Sequence, residues 1–168
     1  MPEKSFRDMG LLPLDKKAAI ATLKTRLVLV TSDVIRKLPE SFPAFQERWD
    51  EHIANWGGEP AGSYNDMSIF VHFVVDDLYE KRNIDETHHV FRIFEMLFAE
   101  GDESDRNLIA LGFLETLQCV KSWRPYGNAA FREFLGPLCR QAWTEIESQW
   151  TGKSSLMEVL RAEHRRNR

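Results

Sequence analysis

At 168 residues, with 43% hydrophobic and 29% charged positions, the chain is long enough for one domain around a single core and too apolar to be disordered. A net charge of −4 is too mild to act as a long-range field, and no continuous basic face precedes the last eight residues, which disfavours nucleic acid as a partner. Met1 to Gly10 is polar, without a signal-peptide core, and the longest apolar run, Leu27 to Val30, is far too short to span a bilayer, so a cytoplasmic, non-membrane protein is expected.

Taken in order, residues 1–13 read as a loose arm, with Leu11, Leu12 and Leu14 able to pin its end. Asp15 can cap a helix through Ile20, Leu23, Leu27 and Val30, although the β-branched Val28 to Thr31 admits a short strand. Asp33 to Leu38 resumes the helix, and Pro39 is expected to end it. Ser41 is expected to cap the next one, with Pro43 in its first turn and Phe42, Phe45, Trp49, Ile53 and Trp56 at spacings of three or four. Residues 57–62 form the clearest loop. Asn65 or Asp66 starts a third helix, in which Ile69, Phe70, Phe73, Val74 and Leu78 face inward. Its weak helix formers Val71, Val74 and Val75 require burial to hold them.

The next stretch, residues 84–120, is expected to organise the fold. Asn83 caps it, with Glu86 as capping-box partner, and Val90, Phe91, Phe94, Leu97 and Phe98 recur at helical spacing. Gly101 reads as a left-handed residue after the helix. Ser104 or Asp102 then caps a second helix striped by Ala110, Phe113, Leu114, Leu117 and Val120. Residues 123–128 connect to a helix carrying Phe131, Phe134, Leu135, Leu138, Ala142, Trp143, Ile146 and Trp150, with a kink or restart at Pro137. Thr151-Gly152 ends it, and a last helix from Leu156 runs into a basic tail over residues 161–168.

Six or seven helices without strand alternation define an all-α single domain. The hairpin around the acidic turn resembles one HEAT or armadillo unit, so a short stack of hairpins and a helical bundle both fit.

Chemistry is harder to find. His72, Asp76, Glu86 and His89 are the candidate ligands of a metal-dependent helical enzyme. However, Glu86-x-x-His89 occurs once, whereas a di-iron bundle needs the motif twice. No metal and no cofactor is expected. Cys119 and Cys139 sit in apolar helical context and are expected to be free, inert thiols. Two other sets suggest a protein partner. Trp49 and Trp56 lie seven apart, as do Trp143 and Trp150, and each pair makes a stripe that fits a core, a partner-facing groove or a homodimer. Asp76, Asp77 and Glu80, with Asp102, Glu103 and Asp105, would form an acidic rim if the helix ends share an edge. These carboxylates show no local task beyond capping. Charge reversal at Asp76, Asp77 and Glu103 is therefore expected to spare the fold and slow the encounter.

Three segments carry a resemblance: Ser41-Phe42-Pro43-Ala44-Phe45 through His52, Tyr64-Asn65-Asp66-Met67 through Asp76, and Glu100-Gly101-Asp102-Glu103 through Glu115. Together, over about residues 40–120, they resemble a family of small bacterial all-helical proteins of the kind found as immunity partners of polymorphic toxins. The first 40 residues and the tail after Arg124 lie outside the resemblance. It implies a non-enzymatic antitoxin that occludes a toxin, and it transfers no catalytic residue.

Overall fold

The computed structural model describes residues 32–122 and 124–150. The expected arm, the helix opened by Asp15, the strand alternative at Val28–Thr31, Trp123, the stop at Thr151-Gly152, the last helix and the basic tail lie outside the described residues.

Among those residues the fold is all-α, without a strand. Helix α1 spans Asp33–Ser41, and the Ser32 hydroxyl caps it by accepting the Ile35 N–H. Pro39 lies inside α1 instead of ending it. Its missing N–H falls in the last turn, where Phe42 N–H still reaches Leu38 O at 2.8 Å, so the helix runs on to Ser41. Ser41 is thus the end of α1 and caps nothing. A 3₁₀ turn over Pro43–Phe45 leads into α2, Gln46–Asn55.

Helix α3, Ser63–His72, starts two residues before the expected Asn65 and continues as a π-helical segment, Phe73–Tyr79. Phe73, Val74, Val75 and Leu78 on this segment are all buried, as expected of a helix covered on several sides. Helix α4 spans Ile84–Glu100. Asn83 caps it through the Glu86 N–H. The reciprocal bond expected from Glu86 is pre-empted, because Asn83 N–H already donates to Leu78 O at 2.8 Å. Gly101 has φ −71°, so it is not left-handed. A glycine fits there for another reason: a Cβ would stand 2.5 Å from Leu97 O and 2.7 Å from the Asp105 Cβ.

Asp102 and Asp105 form a reciprocal capping box for α5, Glu103–Asn107. The helix then passes through a second π segment, Leu108–Glu115, into α6, Thr116–Ser122. A 3₁₀ helix over Asn128–Phe134 follows, the chain breaks at Leu135 and Gly136, and α7 restarts at Pro137 and occupies residues 137–150.

The expected hairpin is present. Phe94 and Phe113 are fully buried, their rings edge-to-face with centroids 4.3 Å apart. The hub of the core lies elsewhere, however, on α3. Phe70 sits within 5.0–6.4 Å of the Phe42, Phe45, Phe73, Phe94 and Phe113 rings. Helix α3 touches α1, α2, α6 and the second π segment, which makes the arrangement a bundle around a central helix. Gly112 faces α3: a Cβ there would lie 3.4 Å from Met67 and Tyr64, and 3.0 Å from Leu108 on its own segment. A second aromatic group, Tyr79, Phe91, Tyr126, Phe131 and Phe134, seals the end where the 3₁₀ helix lies.

Candidate protein-binding surface

The first acidic trio is already engaged. Asp76, Asp77 and Glu80 sit on and just after the first π segment, facing α2 and the connection before the 3₁₀ helix. Arg48 on α2 donates from Nε to Asp77 and from Nη2 to Asp76 at 3.5 Å. Arg124 donates to Asp76 at 2.9 Å and pairs with Glu80 at 3.2 Å. Lys81 donates to Asp77 at 2.7 Å, and Tyr126 donates its hydroxyl to Glu80 at 2.8 Å. The carboxylates of Asp76 and Asp77 are only 28% and 25% exposed. Burial alone would raise the Asp77 pKa, but the hydrogen bonds and charges of Lys81 and Arg48 outweigh it and hold it below 3.8. These residues clamp three elements together, so the expectation that they do no local work is corrected. No local pattern announces it, because Arg48 and Arg124 lie 28 and 48 residues from Asp76.

The second trio is different. Asp102 and Asp105 each spend one oxygen on the capping box, and Glu103 is exposed. The Asp102 and Asp105 carboxylates edge a groove of about 660 Å³ between α1 and the α4–α5 turn. Val34, Leu38, Phe42, Ile93 and Leu97 line it, and Met96, 52% exposed, stands at its border.

The tryptophan stripes divide. Trp143 is buried, with its indole N–H donated to Glu147 at 2.9 Å, while Trp150 is 42% exposed. Trp49 is half-buried against Phe45, and Trp56 at the end of α2 is 50% exposed. Between Trp49 and Trp56 lies a buried polar pair that the sequence did not announce. The His52 ring, with centroids 5.8 Å and 6.4 Å from the two tryptophans, meets fully buried Asp66 through Nε2 and Oδ1 at 2.7 Å. Opposite a carboxylate oxygen the ring nitrogen is the donor. Ala61 N–H donates to the same oxygen at 3.0 Å. Asp66 thus fastens the 57–62 loop to α2 and α3. Only the loop's glycines hinted at a structure to be fastened, since His52 and Asp66 are fourteen residues apart.

The candidate metal ligands do not assemble. His72 Nδ1 lies 3.8 Å from Asp76 Oδ2, but among the described residues no three His, Cys, Asp or Glu side chains gather to hold an ion. His89 is exposed, its ring edge-on to Phe42. Cys119 is exposed and Cys139 buried, and neither is in a disulfide. Burial raises the pKa of each thiol, assisted by the charge of Glu115 for Cys119 and by a hydrogen bond to Glu95 for Cys139. The Glu95 carboxylate also accepts the Leu138 and Cys139 N–H groups, at 2.7 and 2.9 Å, and so caps α7 from another helix. No described helix is long and apolar enough to cross a membrane.

Among the described residues the fold defines a small all-α bundle whose buried polar groups hold its elements together. The chain is a member of the family Domain of unknown function (DUF7674), whose model matches residues 35–151. That span exceeds the 40–120 resemblance at both ends and takes in the connection after Arg124 and α7. No curated protein and no solved structure matches the chain.

Proposed function

We propose that the protein is a non-enzymatic protein-binding domain and, in its specific form, an immunity protein that neutralises a cognate toxin by occlusion. The observation that carries this reading is Trp56. Its side chain is half exposed on a fixed base: the Trp56 backbone N–H donates to His52 O and Ile53 O, and its ring lies beside the His52 ring that Asp66 holds in place. A large aromatic presented on a rigid base loses little entropy on binding, which is what an interface anchor requires. The alternative, a metal-dependent enzyme using His72, Asp76, Glu86 and His89, is weakened because Asp76 is already committed to Arg48 and Arg124.

The test is capture of a partner from the native host on the tagged full chain, followed by affinity measurement with the purified partner. Trp56→Ala should cost about 2 kcal/mol or more, roughly 30-fold in Kd, without changing the melting curve. For the immunity form, the captured protein should arrest growth alone and not when co-expressed with this chain. Unchanged affinity in Trp56→Ala, capture of only a second copy of this chain, or a stoichiometric metal in the purified protein would overturn the proposal.

A further inference from the structure

We propose that the groove between α1 and the α4–α5 turn docks a basic amphipathic helix of the partner. The inference rests on the protein-binding reading but uses a different surface from Trp56. The groove has an apolar floor, supplied by Leu38 and Phe42 on one side and Ile93 and Leu97 on the other, with Met96 unburied at its edge. Its volume falls in the range of binding clefts, about 300–1,000 Å³.

Charge selects the helix. Among the described residues, three carboxylates, Asp33, Asp102 and Asp105, line the groove against one ammonium, Lys37. Asp33 is paired with Arg36 only at 3.8 Å and with both side chains largely exposed. The N-termini of α1 and α5 also point here, and each carries about half a positive charge. They reduce the excess of negative charge without cancelling it. Lysines or arginines flanking the apolar stripe of a partner helix would meet this border as the stripe enters the floor. An extended peptide is disfavoured, because the described residues contain no sheet edge for it to join.

The probes are a synthetic leucine–lysine peptide with leucines at i, i+3, i+4 and i+7, and its leucine–glutamate counterpart. Each is titrated into the full chain by calorimetry. The lysine peptide should bind, weaken as salt rises, and lose at least tenfold in affinity with Met96→Glu, a substitution at an exposed site that should leave the melting curve unchanged. Trp56→Ala should not alter its affinity, so failure here is distinguishable from failure of the Trp56 reading. No binding, equal binding of the glutamate peptide, or binding unmoved by Met96→Glu overturns the proposal. Maleimide labelling of Met96→Cys, in a Cys119→Ser background, identifies other occupants. Protection in the dilute full chain would assign the groove to the chain's own residues 16–30, which carry Ile20, Leu23 and Leu27 among Lys16, Lys17, Lys24 and Arg26. Protection that grows with protein concentration would assign it to a second copy. Either result overturns the partner helix, and rapid labelling at all concentrations agrees with it.

Discussion

Replacing His52 with alanine tests whether the clasp beneath Trp56 holds the loop. Asp66 is fully buried, and its Oδ1 takes the His52 Nε2 at 2.7 Å and the Ala61 N–H at 3.0 Å. Removing the ring takes one donor from the buried Asp66 carboxylate and opens a gap between Trp49 and Trp56. Losing that donor together with the packing of the ring costs about 3–5 kcal/mol. That is a large part of the ~5–15 kcal/mol that holds a domain together, and at this chain length it corresponds to a Tm lower by roughly 6–20 °C. Asp66→Asn should cost less, about 1–3 kcal/mol, because the amide oxygen can still accept the Ala61 N–H. The double variant should fall short of the sum, since the two substitutions remove the same His52–Asp66 hydrogen bond. Urea denaturation at neutral pH measures all three, with m unchanged if the transition stays two-state. A His52→Ala loss under 1 kcal/mol, or strict additivity in the double variant, would refute the argument that this pair fastens the loop.

Other parts of the structure make separate predictions. Phe94→Ala removes a ring packed on Phe70 and Phe113 and should cost about 3–5 kcal/mol in the same denaturation assay. Glu95→Gln leaves one acceptor for the Leu138 and Cys139 N–H groups and should cost about 1–2 kcal/mol, with faster amide exchange confined to the first turn of α7. Because Asp77 titrates below its ordinary value of 3.8, its contribution is complete above that pH and disappears as pH falls through the folded-state value. The stability gap between wild type and Asp77→Asn, followed by urea titration from pH 6 to pH 2.5, should therefore close below about pH 3.8. With a thiol reagent at pH 7.5, Cys119 should react slowly in the native protein, and Cys139 only on unfolding.

Local signals in the sequence produced local structure. Asn83 and Asp102 cap the helices expected of them, Pro137 restarts a helix after Gly136, and Phe94 meets Phe113, because capping chemistry and helical spacing act within a few residues. The π segments were hidden, since a run such as Val71 to Val75 fits any buried helix and only packing decides the width of the turn. Phe70 as hub was hidden for the same reason: its spacing places it on an inner face, but not against five other rings. Polar clasps between distant elements were the least legible. Glu95 caps α7 across 43 and 44 residues, and Arg124 reaches Asp76 across 48. Such pairs have no periodicity, and each partner alone looks like an ordinary surface charge.

That distinction changes what the acidic residues can do. Six carboxylates that read alike in sequence fall into two physical classes. Asp76, Asp77 and Glu80 face arginines, a lysine and a tyrosine hydroxyl on other parts of the bundle. A lysine at Asp76 or Asp77 would meet Arg48 at close range and separate α2 from the first π segment, so its effect would appear in stability before it appeared in binding. Asp102 and Asp105 satisfy backbone N–H groups at a helix start, a task that leaves part of each carboxylate free at the groove's border. Glu103 stands in the same first turn and is exposed. A partner attracted by negative charge would therefore find it at the α4–α5 turn, next to an apolar floor, and not at the first π segment, where each charge already has its counterpart.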